Sequence, residues 1–415
     1  MLWIYNIGIV IYGLLIRLAS LFNAKAKLFV EGRKNVFAKI AQKISPSDRP
    51  IWYHFASLGE FEQGRPVLEK LKLAYPLQKV VVTFFSPSGY EIRKNYTLAD
   101  GIFYLPLDTA GNARKFVALV NPKLAIFTKY EFWHHYFKTL HQKNIPIYLI
   151  SGIFRPNQLF FKWYGGFYRN ILGFVKHFFV QNEESVALLK QLGINEVSLC
   201  GDTRFDRVYE NAEHPKKIAE IEAFCQDAPT LVAGSTWPAD EKLLADLIAK
   251  NPDWKFIIAP HEIDASHISD IEHAFPNTLK FSAFNSQLAS HPVHPTLPDA
   301  NILIIDNIGM LSSLYQYGQL AYIGGGFGAG IHNTLEAVAF GLPVIFGPKY
   351  DKFQEAKDLV ALGVAKSINN EIELIVAFEE LKDNSSLAVA AKHYIEEKKG
   401  ATDLIIDQVK IALQD

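Results

Sequence analysis

Short apolar runs separated by amphipathic stretches recur through almost the whole chain. In the first half they fall at 51–56 (IWYHFA), 79–85 (KVVVTFF), 101–105, 123–128 (KLAIFT), 145–150 (IPIYLI), 177–181 and 197–200. Helical patterns, as at 61–74 and 111–120, lie between several of them. After a charged helical stretch at 203–228 that holds no strand, a second series begins. Its runs are 230–234, 255–260, 278–281, 302–305, 319–323 and 342–346, with helices expected at 239–250, 264–274, 309–316, 333–340 and 353–362. Strands alternating with helices predict parallel sheets, hence two α/β Rossmann-like domains facing across a cleft. Two further helical patterns, 373–382 and 386–413, close the chain, and the last could return to the first domain.

The opening residues break this rhythm. From Leu2 to Phe22 only Asn6, Arg17 and Ser20 interrupt an apolar run. Its apolar positions surround the helix rather than forming a stripe, which suits lipid better than a protein core. A buried helix is the plainer alternative. A cleaved signal peptide is not expected, because no basic segment precedes the run and no small-residue cleavage site follows it. Lys25, Lys27, Arg33, Lys34, Lys39 and Lys43 come next. By the positive-inside rule they keep the body of the protein on the cytoplasmic side. The expected division is an anchor helix at 1–24, one domain at 25–205, a second at 206–395 and a C-terminal helix at 396–415.

Composition narrows the functional classes. A chain of 415 residues, 49% hydrophobic, can bury two cores. A formal net charge of -1 argues against nucleic-acid binding driven by bulk charge. Cys200 and Cys225 have no metal or redox spacing, and no CxxC, HExxH or EF-hand pattern occurs, so no bound metal and no cofactor are expected.

The most informative segment is 322–348, YIGGGFGAGIHNTLEAVAFGLPVIFGP. It reads as strand, glycine-rich turn, helix and strand, a nucleotide pocket at the carboxyl end of a parallel sheet. Gly324, Gly325, Gly326, Gly328 and Gly330 would let backbone N–H groups approach a ligand. A helix starting near His332 and Asn333 would aim its positive end there, and Glu336 on its first turn could take a ribose hydroxyl pair. The plain alternative is a turn that only packs helix on sheet. An NAD dehydrogenase fits poorly, since no acidic residue ends a strand about 20 residues later.

Other candidates stand at strand ends. In HFASLGEFEQGRP (54–66), Glu60 is the favoured general base, with Glu62 a weaker one. Ser57-Leu58-Gly59-Glu60 is equally a capping box. In TFFSPSGYE (83–91), Ser86, Ser88 and Gly89 could bind an anion or merely cap a helix. In FTKYEFW (127–133), Lys129 and Glu131 could contact a charged acceptor or pair with each other. The stretch 150–179 mixes Arg155, Lys162, Arg169 and Lys176 with ten aromatics, which suits anionic head groups. Arg155 is its strongest candidate for a phosphate or carboxylate. At 200–208, Arg204 could hold a phosphate or be neutralised by Asp202 or Asp206. Gly234, Ser235 and Thr236 form a phosphate-cradle pattern between strand and helix, and His261 ends the next strand.

Taken in order, the start of the chain, HFASLGE, SPSGYE, GDTRFD, GSTWPADE, APHE and GGGFGAGIHNTLEA resemble the Kdo (3-deoxy-D-manno-octulosonic acid) transferases of lipid A biosynthesis. The resemblance implies a GT-B fold and inverting transfer of Kdo from CMP-Kdo to a lipid A precursor, at the cytoplasmic face of the inner membrane. It implies no essential metal. It places the catalytic base at Glu60. It places donor contacts at Gly234, Ser235, Thr236, Pro260, His261, Ile308, Gly309, Met310, Gly324, Gly325, Gly326, His332, Asn333 and Glu336, to which the residue reading adds Arg204. Acceptor contacts fall on Ser57, Gly59, Ser86, Ser88, Lys129, Glu131 and Arg155, although ISGIFRPNQ departs from the SARLS-type run of better-known members. The rival readings are a GT-B-type nucleotide-sugar epimerase, for which the apolar start has no use, and a membrane-tethered nucleotide-sugar binder without turnover.

Overall fold

A computed structural model describes residues 1–290, 300–383 and 385–414. The chain forms two compact units, Met1–Asp206 with Lys398–Asp415, and Arg207–Glu397. It passes from one to the other within helix Thr203–Glu213.

The first unit is built on seven parallel strands: β1 (Ile51–Phe55), β2 (Val80–Phe84), β3 (Gly101–Tyr104), β4 (Leu124–Thr128), β5 (Ile147–Gly152), β6 (His177–Val180) and β7 (Val197–Leu199). Their order is β3-β2-β1-β4-β5-β6-β7. Every residue of β1, β2 and β4 is buried. Helices cover both faces of such a sheet, so its strands read as unbroken apolar runs. The second unit repeats the plan with β8 (Thr230–Thr236), β9 (Lys255–Pro260), β10 (Thr278–Lys280), β11 (Ile302–Ile304), β12 (Leu320–Ile323), β13 (Val344–Phe346) and β14 (Ala365–Ser367), in the order β10-β11-β9-β8-β12-β13-β14. The strand pattern foretells thirteen of these. It misses β14, whose sequence AKS is a partly exposed edge and carries no apolar run.

Strand order reverses between β1 and β4 in one sheet and between β8 and β12 in the other. Chains leaving adjacent strands there turn to opposite faces, which opens a crevice at the carboxyl ends. The segments after β1 and β4 carry Glu60, Lys129 and Glu131. The segments at the ends of β8 and β12 carry Ser235 and the glycine-rich turn.

Two helical expectations need revision, and one helix was not expected. The pattern at 386–413 is two helices, Ser385–Lys398 and Ala401–Gln414, broken at Gly400, whose φ is 111°. The helix expected at 333–340 shortens to Leu335–Ala339. Helix Phe281–Ser290 had no clear apolar stripe to announce it. Asp206 fixes the start of Ala401–Gln414 by accepting bonds from the Gly400 and Thr402 backbone N–H groups and from the Thr402 hydroxyl.

Helix α1 (Leu2–Ala19) buries none of its residues, so it is not a core helix, and it is long and apolar enough to cross a membrane. It is nonetheless fastened to the first unit. The Tyr5 hydroxyl donates to Asp108 at 2.5 Å, Asn6 Oδ1 meets His135 Nε2 at 2.7 Å, and the Tyr12 ring stacks on Phe85. Two short helices follow, α2 (Ala24–Gly32) and α3 (Val36–Lys43), before α4 (Leu58–Ala74).

Arg33, one of the cations that follow α1, is engaged within the first unit. Its guanidinium donates to the carbonyls of Leu105, Phe29 and Phe85 at 2.7–3.0 Å and lies 3.5 Å over the Phe29 ring. Burial pulls its pKa down to about 9. It ties α2 to the strand ends of the first sheet. Arg33→Met leaves three carbonyls without donors and is expected to cost about 3 kcal/mol. Urea unfolding of the detergent-solubilised protein checks this; an unchanged midpoint contradicts the tie.

Candidate active site

The site in the first unit begins where β1 ends. Ser57 is extended and caps α4. Glu60, three residues on, turns back so that its Oε2 accepts the Ala56 N–H at 2.5 Å and the Ser57 N–H at 3.1 Å. The capping-box reading is therefore realised. It does not leave Glu60 an ordinary surface acid. Burial, then the negative charge of Glu131, push its pKa up to about 7, against the opposing pull of the Ala56 N–H, Lys129 and the Ser57 N–H. A carboxylate that titrates near neutrality at a strand-end crevice can accept a proton from a hydroxyl. Gly59 beside it is exposed, and a Cβ there would meet nothing nearer than Ser57 Oγ at 4.0 Å. Packing does not demand glycine at this point.

From β4 come Lys129 and Glu131. Lys129 has φ of 59°, a strained conformation for a residue with a side chain. Glu131 Oε2 accepts from Trp133 Nε1 at 2.8 Å and lies 3.2 Å from His54 Nε2. Arg155, after β5, is exposed and donates through Nη1 to the Tyr130 hydroxyl at 3.0 Å, which brings it beside the Lys129–Glu131 segment. Ser86 and Ser88 realise the plain helix cap: Ser86 Oγ accepts the Ser88 N–H and lies 3.0 Å from Ser88 Oγ. Arg204 is engaged by Asp202, with Nε and Nη2 at 2.8 and 2.7 Å from one oxygen, as its structural alternative foresaw.

The second unit has its own polar focus. A register shift in β8 between Gly234 and Thr236 leaves Ser235 with φ of 54°. The Thr236 hydroxyl is buried and donates to Glu241 at 2.9 Å, so it is engaged within the protein. The glycine-rich turn also differs from its expected use. The N–H groups of Gly324 and Gly325 bond to the Gly234 carbonyl and to Asp240, and those of Gly328 and Gly330 to the Gly325 carbonyl. A Cβ at Gly324 would strike the Ser235 carbonyl, and one at Gly326 the backbone of Gly347. These glycines are required by close backbone packing, and the five-residue helix after them is too short for a strong dipole.

Side chains supply what those amides do not. The ring of His261, at the end of β9 after Pro260, stacks between Trp237 and His332, with centroids 4.8 and 4.4 Å away. His332 Nε2 accepts from Trp237 Nε1 at 3.2 Å, which leaves the proton on Nδ1. Burial and then the neighbouring His261 hold the His332 pKa down at about 4, so it is neutral at pH 7. Asn333 donates to Glu336 at 3.0 Å, and burial raises the Glu336 pKa. Trp237 and Asp240 were not among the expected site residues; the GSTWPADE motif holds both. Gly309 and Met310 line a cavity of about 270 Å³ with Lys216 and Ser313, while Ile308 is exposed. A larger hollow of about 520 Å³ lies by Cys225 and Tyr317, at the amino ends of β8 and β12, and holds none of the expected residues. Among the described residues no group of three or more His, Cys, Asp or Glu could hold a metal ion.

Residues 31–207 match the family model described as 3-deoxy-D-manno-octulosonic-acid transferase (kdotransferase). The chain is 26% identical over 358 residues to a 3-deoxy-D-manno-octulosonic acid transferase of Aquifex aeolicus, covering 84% of this chain and 89% of that protein. With the transferase of the same name from Haemophilus influenzae it shares 26% over 390 residues, 89% and 88% of the two chains. Among solved structures, the UDP-GlcNAc 2-epimerase of Neisseria meningitidis bound to UDP-GlcNAc matches with a TM-score of 0.59 at 17% identity, over 88% of this chain and all of that one. That likeness is one of fold, a GT-B-like fold with two Rossmann-like units. The chain is a glycosyltransferase related to the Kdo transferases over most of its length.

Glu60 gives this site a pH signature in stability. Its folded pKa of about 7 lies above the unfolded value near 4.5. The folded state therefore holds a proton the unfolded state has lost, and stability from this group falls as pH rises from 4.5 through 7. Glu60→Gln is expected to be more stable than wild type at pH 8, on the order of 1 kcal/mol, and to lose that advantage at pH 5. Denaturant unfolding at the two pH values checks the sign.

Proposed function

We propose that this relative of the Kdo transferases moves Kdo from CMP-Kdo to a hydroxyl of a lipid A precursor with inversion, and that Glu60 is the general base. One observation carries the reading. The side chain at the β1–β4 switch point is a carboxylate whose pKa burial and a second carboxylate raise to about 7. Ionised, Glu60 takes the acceptor proton as that oxygen attacks the anomeric carbon. Positive charge builds on that carbon while CMP departs. Neutral His332, with its Nδ1–H, and the Ser235 turn are the groups best suited to the departing phosphate. No metal is required by this scheme. The epimerase reading rests on fold alone, whereas the transferase relatives match in sequence along most of the chain.

The acceptor class agrees with helix α1. Trp3, Ile7, Val10, Ile11, Leu14, Leu15 and Leu18 are all exposed, each by 49% or more. Exposed apolar surface of this extent marks an interaction site. Tyr5, Asn6 and Tyr12 hold the other side of the helix against the first unit. A helix held in this way lies in the membrane interface with its apolar face down, on the cytoplasmic side of the inner membrane. The exposed Lys25, Lys27, Lys34, Lys39 and Lys43 follow it, where anionic head groups would meet them.

Transfer from CMP-Kdo to a lipid A precursor in detergent tests the chemistry. Glu60→Ala and Glu60→Gln are each expected to lose about 10²-fold or more in rate while CMP binding persists. Sustained turnover by folded Glu60→Gln would return Glu60 to a capping role alone. No wild-type transfer, with CMP bound, would favour a nucleotide-sugar binder. The interface reading has its own test. Replacing Ile7, Ile11, Leu14 and Leu18 together by Glu should abolish sedimentation with anionic vesicles and spare transfer in detergent. Unchanged sedimentation would contradict it.

A further inference from the structure

His54 is the most deeply buried charge-capable residue beside the site, with no exposed surface. Its position on β1, in the middle of an apolar strand, calls for a reason. Both ring nitrogens are used. Nδ1 lies 2.9 Å from Thr83 Oγ1 on β2, and Nε2 lies 3.2 Å from Glu131 Oε2. Thr83 Oγ1 also accepts from Trp52 Nε1 at 2.8 Å. Trp133 Nε1 points to the same Glu131 oxygen at 2.8 Å and is 3.3 Å from His54 Nε2.

One arrangement of protons sets His54 to work on Glu131. If Nε2 were bare, its lone pair would face the carboxylate oxygen of Glu131. With the proton on Nε2, His54 donates to Glu131, and Nδ1 accepts from the Thr83 hydroxyl at 2.9 Å, a shorter contact than the 3.3 Å from that hydroxyl to the Tyr53 carbonyl. Two N–H groups, from His54 and Trp133, then converge on one oxygen of Glu131. We propose that His54 is a positioning residue for the transfer reaction: from behind the β1–β4 switch point it holds the Glu131 carboxylate beside Glu60. The inference rests on the reading of Glu60 as base.

Glu131 matters because it is a like charge next to the base. Its field disfavours ionisation of Glu60 and so strengthens Glu60 as a proton acceptor. The charged group that acts in the opposite sense is Lys129, and the Ala56 and Ser57 N–H groups from the start of α4 act with it. On the far side, Tyr12 of α1 lies within reach of the Glu131 charge. A His54 that only filled the core would leave the protonation of Glu60 untouched. A His54 that aims Glu131 would not.

The test is the pH profile of kcat/KM for Kdo transfer by the full chain in detergent, whose acid limb reports the base of the free enzyme. Glu60→Gln is measured first and should be inactive. In Glu131→Gln the acid limb should move down by about one pH unit. His54→Leu should move it in the same direction, and His54→Gln, whose amide N–H can reach the same oxygen, should restore it towards wild type. An acid limb that stays in place in both Glu131→Gln and His54→Leu, with Glu60→Gln inactive, overturns the inference and leaves Glu60 as base. Activity in Glu60→Gln overturns both, and that control tells the two failures apart. Should His54→Leu not fold, an unmoved limb in Glu131→Gln alone overturns the proposal.

Discussion

The reversal of strand order beside β1 is the constraint on which the catalytic reading depends. In a parallel sheet every strand end points the same way, but only at the reversal do neighbouring connections diverge to opposite faces. There the chain can hold polar groups at the edge of an apolar sheet without a helix covering them. β1 delivers Glu60 to that point and β4 delivers Lys129 and Glu131. The same reversal beside β8 delivers Ser235 and the glycine-rich turn in the second unit. Two of the nine non-glycine residues with positive φ among the described residues, Lys129 and Ser235, stand at these places.

Glu60 satisfies backbone donors at the start of α4, and the proposed mechanism adds a second task, that of base. Capping alone favours the carboxylate and lowers its pKa. Burial and the like charge of Glu131 outweigh that pull, and the balance falls near neutrality. Capping bonds then serve as a clamp that fixes the direction of the carboxyl group, since Oε2 faces the Ala56 and Ser57 N–H groups. His54 and Trp133 do for Glu131 what the backbone does for Glu60.

Much of the fold was legible because a strand buried on both faces must be apolar throughout, as IWYHF and VVVTF are. β14 was not legible, since an edge strand of three residues needs no such run. Glu60 could be read from its place after a strand, but a single sequence could not separate capping from catalysis; the structure shows that a cap bond and a raised pKa coexist in one carboxyl group. The glycine-rich turn misled in detail. Its glycines suggested open amides, whereas Gly324 and Gly326 answer to the crossing backbones of Ser235 and Gly347, which lie far off in sequence. Arg33 counted in the sequence only as one positive charge after the apolar start, and only packing shows it facing three carbonyls. The stack of Trp237, His261 and His332 joins three segments and has no signature in any one of them.

The account stands or falls on the protonation of one carboxyl group. Carbon NMR of protein labelled at the glutamate carboxyls, with Glu60 assigned by its absence in Glu60→Gln, would follow that group directly through a pH titration. A midpoint close to 7 is the predicted result. A midpoint in the ordinary glutamate range, near 4.3, would contradict the account, because Glu60 would then be a solvated helix cap.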